Sequence, residues 1–199
     1  MRVISDEARL EEIYGAAVPG SLKKVVKHIT PSYRKWIEAS RFCVLTTVGP
    51  EGADGSPRGD DGPVVRIADA TTILLPDWRG NNRIDSLRNI VRDGRVSLMF
   101  MVPGSNNVVR VNGRAVLTDD PALTETFEQR GKHPRSVIVL TVEELYFQCA
   151  KAVMRSGLWS RDDAAGLPTA GDFLKEVDKE FDGETYDLTY EAAAQDRMW

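Results

Sequence analysis

The middle of the chain contains a succession of short apolar runs that are rich in β-branched residues and are separated mostly by brief turn segments. The runs occupy residues 42–48 (FCVLTTV), 64–67 (VVRI), 71–75 (TTILL), 95–102 (RVSLMFMV), 108–118 (VVRVNGRAVLT), 136–142 (SVIVLTV) and 144–150 (ELYFQCA). Such runs predict β-strands, and the last two are read as two strands or as one bent strand. Parallel strands need crossovers of a dozen or more residues, so these mostly short links predict a mainly antiparallel sheet.

Helical patterns flank these strands, and one interrupts them. In the first forty residues, Thr30 followed by Pro31 is typical of a helix start. A central helix is predicted with Ile84, Leu87 and Val91 on one face. A short helix is predicted after Asp119 or Asp120 and another after Thr169. Residues 186–199 are read as an exposed helix or a frayed end.

Alternating faces and tight turns favour a sheet that closes on itself as a barrel. The predicted class is therefore α+β with a mainly antiparallel β-barrel core. The chain has 199 residues, which fits one domain overall. Its expected parts are an N-terminal helical segment that packs on the barrel (1–40), the barrel core (41–160) and a C-terminal helical extension (161–199).

Composition excludes several classes of function. The net charge is −4, which argues against binding to a nucleic-acid backbone. The apolar runs are too short to span a bilayer, and the acidic start of the chain does not resemble a secretory signal. Cys43 and Cys149 both lie in apolar surroundings, so we expect buried free thiols and a cytoplasmic protein.

Few residues are available for acid–base or metal chemistry. The two histidines, His28 and His133, have no cysteine, histidine or carboxylate at metal-ligand spacing, so no metal site is predicted. Asp60 and Asp61 lie between glycines and are read as a solvated turn. No Walker loop, dinucleotide-binding glycine motif or Gly-x-Ser-x-Gly elbow is present.

An arginine-bearing loop, within residues 76–90 (PDWRGNNRIDSLRNI), is the main candidate site. Asn81 and Asn82 are predicted where the central helix begins, and Arg79 and Arg83 flank them. Helix N-termini and guanidinium groups both bind phosphate, so this loop predicts a phosphate site, toward which Arg66 could also point. The alternative is that Arg79 and Arg83 pair with Asp77 and Asp85 and that the asparagines form an ordinary cap.

Five segments in order resemble the pyridoxamine 5′-phosphate oxidase-like flavoproteins, and in particular a subgroup of probable FMN-dependent members of about 200 residues. These segments are SPRGD, LLPDWRGNNRIDSLRNI, FMVPG, VVRVNGRA and YFQCAKAVMRSGLW. The resemblance implies a split β-barrel, a homodimer and two FMN sites built across the subunit interface. It implies that the loop holds the FMN phosphate, with Asn81, Asn82 and Arg83 at the position of the family's phosphate-binding triplet.

The resemblance also suggests cofactor-binding residues elsewhere. Arg66 or Arg58 would supply the family's strand arginine, and Asp77 and Arg79 belong to the same loop region. Lys151, Arg155 and Trp159 are expected near the flavin or its substrate. For Lys151 and Arg155 the alternative is an exposed pair of helical residues, and for Trp159 it is core or dimer packing. Ser56, together with Arg58, is a further candidate for contact with the ring or the substrate.

Two departures from the family pattern argue against oxidation of a vitamin B6 phosphate. Val108 occupies the position of a glutamine near the flavin ring, and the segment AAAQDRMW lacks the family's arginine-containing substrate motif. The expected function is an FMN-dependent oxidoreductase acting on another small molecule. The alternatives are a split barrel that binds a deazaflavin or haem, a non-enzymatic flavin-binding protein, and a barrel that binds single-stranded nucleic acid.

Overall fold

The computed structural model describes all 199 residues, and its centre is a seven-stranded sheet in which every pairing is antiparallel. The strands are β1 (Phe42–Gly49), β2 (Gly52–Gly59), β3 (Arg66–Ile67), β4 (Thr72–Asp77), β5 (Arg95–Met101), β6 (Val108–Thr118) and β7 (Ser136–Gln148). Their order is β2-β1-β5-β6-β7-β4-β3. The predicted α+β class and antiparallel split barrel are confirmed.

The inward faces of the strands form one apolar core. Cys43 and Leu45 of β1, Phe100 of β5 and Val111 of β6 are fully or almost fully buried in it, and Ile37 of a flanking helix packs there too. The two outer strands, β2 and β3, do not pair with each other. The barrel is therefore open along that side.

Eight helices surround the sheet. They are α1 (Glu7–Tyr14), α2 (Pro19–Lys23), α3 (Pro31–Ala39), α4 (Asp85–Arg92), α5 (Pro121–Thr124), α6 (Lys151–Ser156), α7 (Ala170–Val177) and α8 (Gly183–Gln195). Thr30 is the N-cap of α3 with Pro31 at its first position, and Thr169 forms a capping box with Asp172 at the start of α7, so both predicted starts are confirmed. None of the helices is long and apolar enough to cross a bilayer.

Strand β2 was not predicted, because its sequence, GADGSPRG, consists largely of turn-forming residues. Pairing with β1 along its whole length overrides that local preference. An outer strand tolerates glycine and proline because only one of its edges must be paired. Residues 136–148 form one bent strand: Asn112 pairs with Glu144 and Gly113 with Val142, which leaves Glu143 as a bulge.

Helix α4 differs from its prediction in its start and its buried face. It begins at Asp85, so Asn81 and Asn82 lie in the preceding loop. Its buried residues are Ser86, Asn89 and Ile90, whereas Val91 is 74% exposed. Ser86 and Asn89 can be buried because each forms a hydrogen bond to the sheet, so a search for apolar residues alone did not identify this face. The expectation of two buried thiols was also half wrong, since Cys149 is exposed.

Candidate functional site

An open cleft of about 750 Å³ contains most of the arginine-bearing loop. Its lining consists of residues 54–59 of β2, residues 75–84 from the end of β4 through the loop, residues 85–87 in the first turn of α4, and Val64, Arg135, Tyr190 and Met198. The volume is within the roughly 300–1,000 Å³ that is typical of ligand sites.

Two sets of contacts bring these elements together. Helix α4 is fixed to the sheet because Ser86 donates a hydrogen bond to Asp54 of β2, and Asn89 donates one to Thr47 of β1 over 3.1 Å. On the other side, Asp77 at the end of β4 pairs in register with Ser136 at the start of β7. That register places Arg135 beside the arginine-bearing loop.

An ion pair between Arg58 and Asp77 joins β2 to the end of β4 across the open side of the barrel. The side chains are only 18% and 19% exposed. The Nε of Arg58 is buried and has no hydrogen-bond acceptor in the protein. Buried polar groups are nearly always hydrogen-bonded, so this unsatisfied donor in a cleft-lining residue is consistent with a site for an anionic ligand.

The cleft has an excess of positive charge in a chain whose net charge is negative. Four arginines line it, at positions 58, 79, 83 and 135, against three aspartates, at positions 54, 77 and 85. Arg83 pairs with Asp85, as the alternative interpretation predicted, but Asp77 pairs with Arg58 and not with Arg79. Arg79 and Arg135 form no ion pair or side-chain hydrogen bond, so both guanidinium groups are available to a ligand.

The start of α4 adds unpaired backbone donors to the cleft. Its N-cap is Ile84, with a left-handed φ of 54°, and no side chain caps the helix. The N–H groups of the first helical turn therefore remain without partners in the helix and favour a negative charge. Asn82 also has a left-handed φ of 61°, and the Asn81 side chain accepts a hydrogen bond from the Arg83 backbone. Such backbone outliers are found disproportionately at ligand sites.

The family model described as pyridoxamine 5′-phosphate oxidase matches residues 29–149, more than half of the chain. The chain belongs to the pyridoxamine 5′-phosphate oxidase family. No curated protein matches it in sequence.

Solved structures that are similar to this chain share little of its sequence. HupZ from Group A Streptococcus is 21% identical, with a TM-score of 0.48 over 59% of this chain and 91% of that chain. General stress protein 26 from Bacillus anthracis is 17% identical, with a TM-score of 0.42 over 57% and 88% of the two chains. An F420 reductase is 16% identical, with a TM-score of 0.43 over 60% and 98%.

The structure brings six of the ten predicted site residues into the cleft. They are Arg58, Asp77, Arg79, Asn81, Asn82 and Arg83. Arg66 lies outside the lining: its guanidinium stacks 3.9 Å from the centroid of the Phe127 ring and donates to Thr126 Oγ1 over 2.7 Å. That cation–π contact gives Arg66 a structural role that strand alternation alone did not indicate.

The other three predicted residues lie around α6, away from the cleft of their own chain. Lys151 and Arg155 are exposed on the helix and form no ion pair. Trp159 donates its indole N–H to the Ser105 carbonyl over 2.7 Å and so joins the end of this segment to the β5–β6 connection.

Sequence reasoning missed several residues that build the cleft. Asp60, read as part of a solvated turn, accepts hydrogen bonds from the Trp78 indole over 2.7 Å and from the Gln129 amide over 2.8 Å. Both donors are distant in sequence, and no local pattern identifies them. Arg135 and Tyr190 were also missed. The position of Arg135 directly before a predicted strand was the only local indication that it could lie at a binding site.

Proposed function

We propose that this protein binds FMN in the cleft and is an FMN-dependent oxidoreductase that acts on a small molecule. The observation that carries the proposal is the arrangement of Arg58, Arg79 and Arg83 around the uncapped N-terminus of α4. This donor set suits the phosphate group of FMN, because guanidinium groups bind phosphate oxygens in a planar two-point geometry.

The unpaired groups are sufficient to retain a phosphate ester. Arg79 is free, the first-turn N–H groups of α4 are uncapped, and Arg58 has an unused buried Nε donor. Each hydrogen bond to a charged group contributes about 1.5–3 kcal/mol, so a few of them account for roughly micromolar binding. The three aspartates of the lining reduce this attraction without reversing it.

A bound flavin supplies hydride and electron transfer itself, which explains how a chain with two histidines can be a redox enzyme. The residues of this chain would then bind and orient the cofactor and limit the access of water. Val108 stands where the family pattern has a glutamine near the flavin ring, and the helical C-terminal segment lacks the family's arginine-containing substrate motif. Both differences support a substrate other than a vitamin B6 phosphate.

The proposal includes a homodimer in which the second copy completes each site. Phe42 and Val116 leave substantial apolar surface exposed on β1 and β6, as expected of an interface in a separated protomer. In such a dimer, Lys151, Arg155 and Trp159 would be available to the cleft of the partner copy.

The decisive experiment is an absorbance spectrum of the purified protein, followed by mass analysis of the small molecule released on denaturation. We expect the two-band spectrum of a flavin and the mass of FMN. A Soret band would instead identify haem, and the mass of a deazaflavin would exclude FMN as the native cofactor.

Substitutions then test the arginine assignment. Arg79→Ala and Arg83→Ala should each raise the Kd for FMN by roughly 10- to 100-fold, because each removes a charged hydrogen-bond donor. Arg92→Ala is the matched control: Arg92 lies at the other end of α4, pairs with Glu51 and does not line the cleft. Full flavin occupancy of both cleft variants after extensive dialysis would refute the assignment.

A further inference from the structure

The segment from α8 through Trp199, which we call the C-terminal arm, contacts the barrel near the turn that precedes β7. The Arg130 guanidinium lies 4.6 Å from the centroid of the Trp199 ring, and Trp199 is only 9% exposed. Lys132 Nζ also donates to the Asp196 carbonyl over 3.3 Å. We call the Arg130–Trp199 contact the latch.

Two residues of the C-terminal arm, Tyr190 and Met198, line the same cleft as the arginine-bearing loop and β2. They are the only lining residues that come from beyond β7. The Tyr190 ring packs against that of Tyr186, with their centroids 5.4 Å apart.

The C-terminal arm is held rigidly to α7 but loosely to the sheet. Gly171 and Gly183 let α7 and α8 approach closely: a Cβ on Gly171 would lie 2.2 Å from the Gly183 carbonyl oxygen. Asp187 accepts a hydrogen bond from the Gly171 backbone over 2.9 Å. No strand packs extensively on either helix, so the position of the arm at the cleft depends largely on the latch.

We propose that the C-terminal arm is the substrate-facing wall of the cleft, with Tyr190 and Met198 as ligand-contacting residues and the latch as the contact that positions them. An aromatic ring and a thioether make favourable contacts with flat, unsaturated molecules, so the wall suits a planar conjugated ligand. The inference rests on the proposed function, because it assumes that FMN is the group bound next to the arm.

The first test measures the rate of FMN dissociation from the full-length protein. Tyr190→Ala removes the wall, while Trp199→Ala and Arg130→Lys weaken the latch. Each should accelerate dissociation roughly two- to tenfold, in line with the loss of one aromatic or cation–π contact. Leu188→Ala is the control, because Leu188 lies on the same helix, is 79% exposed and does not line the cleft. Circular dichroism confirms folding, and Arg130→Lys and Tyr190→Ala decide the result if Trp199→Ala does not fold.

The second test needs no flavin. Ser56 is half-buried in the lining, so a Ser56→Cys thiol reports access to the cleft when Cys149→Ser removes the exposed native thiol. Cys43 does not interfere, because burial raises the pKa of its thiol to about 12. Modification of the Ser56→Cys thiol by a maleimide should become several-fold faster when Trp199→Ala or Arg130→Lys is added.

The two tests separate the inference from the proposed function. If wild-type protein holds FMN but the arm variants change neither dissociation nor thiol modification, the arm is not a wall of the cleft and the inference is overturned. If wild-type protein does not bind FMN, the proposed function fails, and the rate of thiol modification alone decides whether the arm covers the cleft.

Discussion

At the scale of single residues, Asp77 both stabilises the barrel and neutralises an arginine of the cleft. We predict that Asp77→Asn lowers the free energy of unfolding by about 2 kcal/mol, because it leaves the largely buried Arg58 unpaired. The freed guanidinium should at the same time tighten FMN binding several-fold. Urea denaturation and FMN titration measure the two effects. Asp163→Asn, which breaks an exposed pair with Arg161, should alter neither. Weaker FMN binding by Asp77→Asn would count against Arg58 as a phosphate ligand.

The two cysteines provide a second prediction at this scale. Burial raises the pKa of Cys43 to about 12, so its thiol remains protonated and unreactive at pH values near neutrality. Cys149 is exposed. A thiol reagent at pH values near neutrality should therefore modify one cysteine per native chain, identified as Cys149 by peptide mass mapping, and both cysteines in denaturant. Rapid modification of Cys43 in the native protein would show that the barrel core opens.

At the scale of elements, the contact between α4 and β1 determines where the start of α4 meets the cleft. A Cβ on Gly49 would lie 2.1 Å from Asn89 Oδ1, in the side chain that bonds to Thr47. We predict that Gly49→Ala destabilises the protein by about 2 kcal/mol and costs much less when Asn89→Ala has already removed the obstacle. Thermal melts of the four combinations measure this coupling. Gly55→Ala on β2, where no atom lies within 4 Å, is the control. Equal costs in both backgrounds would disprove the coupling.

Local sequence patterns predicted the elements that bury apolar side chains at regular intervals along the chain. They missed the features that depend on partners distant in sequence. Alternation indicated β5, β6 and β7 because their inward residues are continuously apolar. The buried face of α4 was wrong because Ser86 and Asn89 are satisfied by residues far away in sequence. Likewise, a contiguous loop revealed Arg79 and Arg83 as candidates. Arg135 and Tyr190 join the cleft only through strand register and the docking of the C-terminal arm.

At the scale of the whole molecule, the outward face of the sheet argues for the proposed homodimer. Cys43 and Leu45 point into the core, so Val44 between them points outward, where it pairs in register with Met99 of β5. Phe42, two residues earlier, is 39% exposed on the same face. An apolar patch that spans two central strands is a typical subunit interface.

We therefore predict that sedimentation equilibrium gives twice the chain mass of 22.1 kDa. Met99→Asp should yield a folded monomer, because a charge in a closed apolar interface is left without a partner. Val177→Asp, on α7 and 84% exposed away from the sheet, should remain dimeric. If both copies contribute to each cofactor site, Met99→Asp must also lose FMN while Val177→Asp retains it. A monomeric wild-type protein that binds FMN tightly would remove the dimer from the proposal and leave the cleft of a single chain as the complete site.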